Sequence, residues 1–189
     1  PLICEVQTVD GRTFRDVLPI EYLAAPRLTV APTVDGDPSD WPVRLPLRLN
    51  REEYTRGSYG LAWTEDDCSA DVSTAWDDTF LYVQATVRDQ TFNQQLVGEA
   101  VWNQDSIQIL AAAGVDTPWT EFCLALTPAG PQVWRTGDSE PLAGARLAVV
   151  LQPGVALYEM ALPWRAFKAM GAPHEAMSIR YAVAINDHD

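Results

Sequence analysis

Short stretches of alternating side chains, separated by turn residues, fill the chain from Val43 onward and limit its fold more than any other feature. An apolar residue at every second position is typical of strands that turn one face toward a core. Turn signals such as Pro153-Gly154 lie between the stretches. Many short strands with frequent turns predict an all-β chain, an antiparallel β-sandwich of jelly-roll or immunoglobulin-like type. The stretches are RLPLRLN, SADVSTAW, TFLYVQATV, DSIQILAAA, EFCLALT, PQVWRT, ARLAVVL, VALYEMAL and SIRYAVAI.

One short helix is expected within this β pattern. It would run from Pro163 to Met170, with a proline in its first turn and Gly171 placed to cap its end.

The N-terminal part of the chain has a different pattern. Two alternating stretches from Leu2 to Val17 flank Asp10-Gly11, a pair that strongly favours a two-residue hairpin turn. The proline-rich segment that follows resembles a linker. We therefore divide the chain into an N-terminal hairpin and linker at residues 1–30, which could be the tail of an upstream domain, and a sandwich at residues 31–189.

The charge balance excludes one large class of partners. The formal net charge is −13 and the pI is near 4.4, whereas nucleic-acid binding needs clustered Lys and Arg. No apolar run approaches the roughly 20 residues that span a bilayer. The cysteines Cys4, Cys68 and Cys123 are too few for a disulfide scaffold, and buried free thiols are slightly favoured over a single bridge.

Catalytic motifs are missing from the sequence. It contains neither a nucleophile elbow, a zinc-protease motif nor a phosphate-binding glycine loop. Acidic residues could still hydrolyse a glycoside as a pair, and the candidates lie at Glu65–Asp67 or at Asp77 and Asp78. Such residues next to strands more often form turns or solvated surface, so an enzyme is the least favoured class.

Three aspartates near the start of the predicted sandwich could bind calcium. Asp35, Asp37 and Asp40 lie close together with a glycine that bends the chain, and Ca²⁺ prefers carboxylate and loop carbonyl oxygens. The spacing is not that of an EF-hand. Local turns formed by their own side chains explain Asp35 and Asp37 without a metal.

Tryptophan is abundant, with seven residues in the chain. Each one taken singly is more often part of a core than an exposed platform for a sugar ring. Trp102 is of particular interest because it precedes the stretch DSIQIL, in which Gln108 points away from the side that Ile107 and Ile109 share. An indole near an outward amide could form a carbohydrate subsite, or it could simply cover one end of the sandwich.

Several segments, in order, resemble the family 9 carbohydrate-binding modules. These are PTVDGDPSDWP, TAWDDTFLYVQATVRD, VWNQDSIQI, YEMALPW and YAVAIND, and the resemblance extends from Thr33 to Asp189. It implies a β-sandwich, stabilised by calcium, that clasps a sugar between two tryptophans. The first clasp tryptophan corresponds to Trp102, and a polar residue that contacts the sugar corresponds to Gln108.

The chain also departs from this family pattern. The second clasp tryptophan would follow Asn186-Asp187, yet the chain ends two residues later, so the C-terminal segment of the family is missing here. Cys123 stands where the family often has an arginine. These departures indicate an incomplete site or a divergent one.

The favoured function is therefore a non-catalytic module that binds a polysaccharide or oligosaccharide. It would be covalently attached to neighbouring domains of a secreted, extracellular or cell-surface polysaccharide-processing protein. The alternative is a structural or protein-interaction module that has lost sugar binding. A haem domain is a third class, with ligands available only from Met160, Met170, Met177, His174 and His188.

Overall fold

The computed structural model describes residues 2–7, 13–18, 24–41, 45–55 and 63–188. Strand β1 (Leu2–Gln7) pairs antiparallel with β2 (Thr13–Leu18) in a separate two-stranded sheet. The predicted Asp10-Gly11 turn between them lies outside the described residues, and the domain boundary near residue 30 stays a prediction. No helix in the described segments is long and apolar enough to cross a membrane.

Two antiparallel sheets form the sandwich, which confirms the predicted fold class. One sheet has the strand order β3-β4-β5-β10-β9, and the other has the order β11-β6-β7-β8. The strands are β3 (Leu47–Leu49), β4 (Ser69–Trp76), β5 (Phe80–Arg88), β6 (Ser106–Ala112), β7 (Thr120–Thr127), β8 (Gly130–Arg135), β9 (Arg146–Gln152), β10 (Val155–Pro163) and β11 (Arg180–Asn186).

The core lies between the sheets because every second side chain of the central strands points inward. In β6 the inward residues are Ile107, Ile109 and Ala111, all fully buried. In β5 they begin at Leu81 and continue through Val83 at the same spacing of two. This alternation assigns the remaining residues of each strand to an outer face, and the outer face of the four-stranded sheet carries the candidate site.

The predicted helix at Pro163–Met170 is replaced by a single 3-10 turn at Trp164–Ala166. Strand pairing extends further than the sequence suggested, because Pro163 still pairs with Phe80 of β5. The chain then turns tightly to bury Trp164 and Phe167, whose rings lie 5.4 Å apart. Because this tight turn already buries both aromatic side chains, the helix does not extend beyond the single turn.

Residues 24–41 cover the outer face of the five-stranded sheet. Trp41 packs there against Ala75 and Tyr82, and Leu28 donates its backbone N–H to the carbonyl of Trp76 at 2.7 Å. One face of this sheet is therefore in the core, and part of the other is covered by the segment.

Glu159 of β10 lies beneath this segment and is only 1% exposed. Its Oε2 accepts hydrogen bonds from the backbone N–H groups of Asp35 and Gly36, at 3.1 and 2.8 Å. Its Oε1 is buried without a hydrogen-bond partner in the described part of the chain. Burial raises the pKa of Glu159, and the two backbone donors oppose that rise.

Candidate functional site

A 3-10 turn at Gly98–Asn103 leads into β6 and carries Trp102. Val101, its neighbour in the turn, is fully buried in a cluster with Cys123, Ala125 and Trp134. These three cluster partners belong to the outer face of the four-stranded sheet, so the turn is seated on that face. Trp102 remains 50% exposed. A buried anchor thus holds an exposed indole beside the part of this sheet face that the turn covers.

Buried and half-buried amides hold this turn in place. Gln94 is 3% exposed, and its Nε2 donates to the carbonyl oxygens of Val101 and Asp105 at 2.8 and 3.0 Å. The Oε1 of Gln104 accepts the backbone N–H groups of Gln95 and Leu96 at 2.8 and 3.1 Å. A side-chain amide that satisfies several backbone groups fixes a loop of irregular structure, since such groups are costly to bury unpaired.

Gln108 lies on the same outer face, as the alternation of β6 predicted. It is half-buried, and its Nε2 donates to Oε1 of Glu121 at 2.6 Å. Directly across in β7 it pairs with Cys123, which is 5% exposed. Burial raises the pKa of the Cys123 thiol to about 11, so a neutral, small side chain occupies the position where the resemblance implies an arginine.

The tryptophans divide clearly by exposure, and all of them lie in described segments. Trp41, Trp134 and Trp164 are buried, and two more are half-buried. Only Trp102 and Trp119 remain exposed, at 50% and 40% of their surfaces. Most indoles therefore belong to the core or to its margins, as the composition alone suggested, and Trp102 is an exception.

Three aspartates meet at the end of the sandwich where β6 begins. Asp89 follows β5, Asp105 precedes β6 and Asp187 follows β11, and one ligand atom from each lies within 4.8 Å of the others. Among the described residues this is the one group of three acidic, histidine or cysteine side chains so close together. Asp89 and Asp105 are buried, whereas Asp187 is exposed.

The electrostatics of this group favour a cation. Burial, together with the nearby Asp89 and Asp187 carboxylates, raises the pKa of Asp105 to about 7, against hydrogen bonds from the N–H groups of Asn93 and His188. Three carboxylate oxygens are the hard donors that Ca²⁺ selects. Burial, and then the Asp187 carboxylate, raise the pKa of the neighbouring Cys68 thiol to about 12.

The aspartates predicted to bind calcium have other contacts. Oδ1 of Asp35 accepts the N–H of Asp37 at 2.9 Å, and Oδ1 of Asp37 accepts the N–H of Ser39 at 3.0 Å. Oδ2 of Asp40 accepts the N–H of Thr33 at 2.8 Å. The first two contacts are the local turns that the sequence offered as the alternative, and calcium at these residues stays a prediction.

The acidic residues considered for glycoside hydrolysis are turn formers or surface groups. Oδ1 of Asp77 accepts the N–H groups of Thr79 and Phe80, and its Oδ2 accepts the hydroxyl of Tyr82, at 2.7 Å each. Although burial opposes it, these bonds lower the pKa of Asp77. Asp78 forms an exposed ion pair with Arg27.

The residues considered for haem ligation and for a disulfide bond are also accounted for. Met160 and Met170 are buried in the core, and Met177 packs against it. His174 is exposed, and its Nδ1 lies 2.9 Å from the carbonyl oxygen of Glu175. Cys68 and Cys123 are free thiols, as the sequence favoured, and the side chain of Cys4 lies outside the described residues.

Sequence reasoning missed Glu121, Gln94 and the grouping of Asp89, Asp105 and Asp187. Asp105 was noticed only as part of the stretch VWNQDSIQI. The available signal was positional, since Asp105 begins one predicted strand and Asp89 and Asp187 each lie two residues beyond the end of another. The strand order that brings those ends together was not evident from the chain itself.

Comparison with known proteins agrees with this architecture. The sequence model of the family described as "Carbohydrate family 9 binding domain-like" matches residues 50–189. Among solved structures, the chain is similar to a family 9 carbohydrate-binding module from Caldicellulosiruptor kristjanssonii in complex with cellotriose. That match has a TM-score of 0.62 and 17% identity, and it covers 87% of this chain and 77% of the other.

A second structure, a family 9 module of the same organism in complex with glucose, matches with a TM-score of 0.61 and 18% identity, covering 86% of this chain and 79% of the other. No curated protein sequence gives a significant match. The family match spans most of the chain and confirms the resemblance seen in its motifs. The chain therefore belongs to the family of carbohydrate family 9 binding domain-like proteins.

Proposed function

We propose that this chain is a non-catalytic module that binds a polysaccharide or oligosaccharide on the outer face of its four-stranded sheet. The observation that carries the proposal is the position of Trp102, which is half exposed on a turn anchored by the buried Val101. Exposing an indole costs free energy unless a ligand covers it. A sugar ring, with its flat apolar face, suits such a surface.

Gln108 and Glu121 would supply the polar contacts beside the indole. Their side chains are joined by a hydrogen bond of 2.6 Å, which orients the amide and leaves further oxygen lone pairs for sugar hydroxyls. The site would recognise shape and hydroxyl pattern and would break no bond. Because Cys123 replaces the arginine implied by the resemblance, we expect weaker binding than a site with a charged donor would give.

The family of the chain suggests the kind of protein in which the module occurs. We infer that the module belongs to a secreted polysaccharide-processing protein and holds an attached domain near its polymer. Anchoring raises the effective concentration of substrate without requiring high intrinsic affinity.

Calcium completes the proposal. The residues that would hold it are Asp89, Asp105 and Asp187, whose three carboxylates converge within 4.8 Å. The ion would neutralise charge gathered there and bind together the ends of three strands. Its role would be structural, since Asp105 also accepts the N–H of Asn93 in the loop that leads to Trp102.

The decisive experiment is a titration with glycans, followed by tryptophan fluorescence and calorimetry, on the wild type and on Trp102→Ala. We expect saturable binding of at least one glucose- or xylose-based ligand. The alanine variant should lose about tenfold or more in affinity, because a central aromatic contact is removed. Trp102→Phe, which keeps a smaller ring, should retain part of the binding.

Gln108→Ala extends this test, with the exposed Gln95→Ala as its matched control. The first should weaken binding and the second should not. Equal affinity in the wild type and Trp102→Ala, with both proteins equally folded, would exclude the site, and complete absence of glycan binding would favour a structural or protein-interaction module.

A further inference from the structure

A second exposed indole lies at the opposite end of the same sheet. Trp119 is 40% exposed and directly precedes Thr120, the first residue of β7. The guanidinium of Arg180, from the start of β11, lies over its ring at 4.4 Å from the centroid. Arg180 also donates through Nη2 to the carbonyl oxygen of Thr117 at 2.8 Å.

Strand alternation assigns Arg180 to the outer face. It pairs with Ala112 of β6, and Gln108 of the same strand pairs with Ala184 of β11. Ala112 lies four positions after Gln108, and an even offset along a strand puts both side chains on the same side. Thr120, by contrast, pairs with the core residue Ala111, so Trp119 next to it points outward as Arg180 does.

The surface between the two indoles is partly open, although Ala112 of β6 is fully buried there. Ala182 and Ala184 of the edge strand β11 are exposed and small, and Leu110 of β6 is half-buried. From the position of Gln108 to that of Ala112, four residues along the strand, the distance is about 13 Å. This is longer than a disaccharide, so one sugar chain lying along β6 would reach both ends.

We propose that Trp119 and Arg180 form a distal subsite for the same glycan that binds at Trp102 and Gln108. The proposal rests on the proposed function and gives it a ligand class: neutral oligosaccharides or polymers longer than a disaccharide. Trp119 provides an apolar platform, and Arg180 provides N–H donors to hydroxyl oxygens. The aromatic contact holds the arginine in place, so little side-chain freedom is lost on binding.

The charge near this surface argues for a neutral sugar. Arg180 contacts a carbonyl oxygen and a ring, whereas the nearby Glu121 is acidic and accepts from Gln108. The formal charge of the chain is −13, which repels polyanions at long range. A uronic-acid polymer would therefore have to overcome both the local carboxylate and the overall field.

The test compares ligand length in wild type and variants by calorimetry, with cellobiose and xylobiose against cellohexaose and xylohexaose. Wild type should bind a hexasaccharide more tightly than its disaccharide. Trp119→Ala should reduce hexasaccharide affinity about tenfold while leaving disaccharide affinity unchanged within about twofold. Trp119→Phe should fall between the two, and it serves as the second variant if the alanine protein folds poorly.

Val115→Ala is the matched control, because Val115 is 83% exposed in the same β6–β7 connection. It should leave both affinities unchanged. Equal affinity of the wild type for both ligand lengths, or an equal effect of Trp119→Ala on both, would overturn the distal subsite. If Trp102→Ala abolishes binding in that case, the proposed function survives, whereas absence of binding to every glycan removes both proposals.

Discussion

Buried carboxylates in this sandwich are tolerated where backbone donors meet them, and Glu159 shows the limit of that arrangement. One of its oxygens accepts two N–H groups, and the other is buried without a partner in the described part of the chain. Removing an ionised carboxylate from water is costly unless hydrogen bonds compensate fully. The buried Oε1 leaves this compensation incomplete, and burial raises the pKa of Glu159.

This leads to a pH-dependent prediction. Because the folded protein holds the Glu159 proton more tightly than the unfolded chain, the stability due to this group is full below about pH 4.3, the ordinary glutamate value, and falls as pH rises through the raised pKa. We expect Glu159→Gln to remove that loss. The gain in melting temperature of the variant over the wild type should therefore increase with pH.

The control for this comparison is Glu140→Gln at an exposed position. Thermal unfolding in steps from pH 4 to pH 8 would show a constant difference for the control. A gain of Glu159→Gln that shrinks as pH rises would mean that the carboxylate is stabilised in the fold and would contradict the prediction.

At the scale of elements, the covering segment at residues 24–41 depends on one glycine. Gly36 has φ of +88°, and a Cβ at this position would overlap Cγ2 of Val150 in strand β9. The backbone thus approaches the sheet as closely as it can, which brings the N–H of Gly36 within 2.8 Å of Glu159. A side chain here would move the segment away from the carboxylate it satisfies.

Gly36→Ala should destabilise the fold by more than backbone strain alone. A non-glycine residue at positive φ costs about 1–2 kcal/mol, and overpacking against Val150 should add about 1–3 kcal/mol. Gly154→Ala is the matched control, since Gly154 has φ of +70° and nothing lies within 4 Å of its added Cβ. The difference between the two variants in the free energy of unfolding, measured in urea, gives the cost of the contact with Val150. Equal losses of free energy in both variants would show that the segment shifts without such a cost.

The strands were predictable because their side chains alternate, and a few residues show where that signal stops. β4 was predicted from Ser69 to Trp76, as the structure has it. The helix at Pro163–Met170 was wrong because pairing of Pro163 with β5 and burial of Trp164 are tertiary effects. No periodicity within one stretch could reveal them.

The site was partly predictable for the same reason. The outward position of Gln108 follows from local alternation in β6, whereas the sequence left Trp102 open between a sugar platform and a cover for the end of the sandwich. Asp89 and Asp187 lie far apart in the chain. Only the pairing of β6 with β11 brings Asp187 beside Asp105. Arg180 reaches Trp119 through the same pairing.

For the whole molecule, the proposed calcium site at Asp89, Asp105 and Asp187 predicts a stability that depends on the ion. We expect millimolar Ca²⁺ to raise the melting temperature by several degrees, and a chelator to reverse the gain, because an ion that binds only the folded state stabilises it. Asp187→Asn should abolish most of the shift. Its side chain is exposed, so the variant should fold.

Asp67→Asn is the matched control, since Asp67 lines the same depression but is not one of the three converging residues. Differential scanning calorimetry with Ca²⁺ and with chelator would measure all three proteins. No calcium-dependent shift in the wild type, or an equal shift in Asp187→Asn, would exclude this group as the ion site.

The two outer faces of the sandwich differ in what covers them, so the two sides of the module are not equivalent. Residues 24–41 occupy the outer face of the five-stranded sheet, whereas Trp102, Gln108 and Trp119 lie on that of the four-stranded sheet. A polymer bound to the second face, as we propose, would be separated by the thickness of the sandwich from residues 24–41. In the proposed function the ligand and the covering segment would therefore lie on opposite sides of the module and would not compete for one surface.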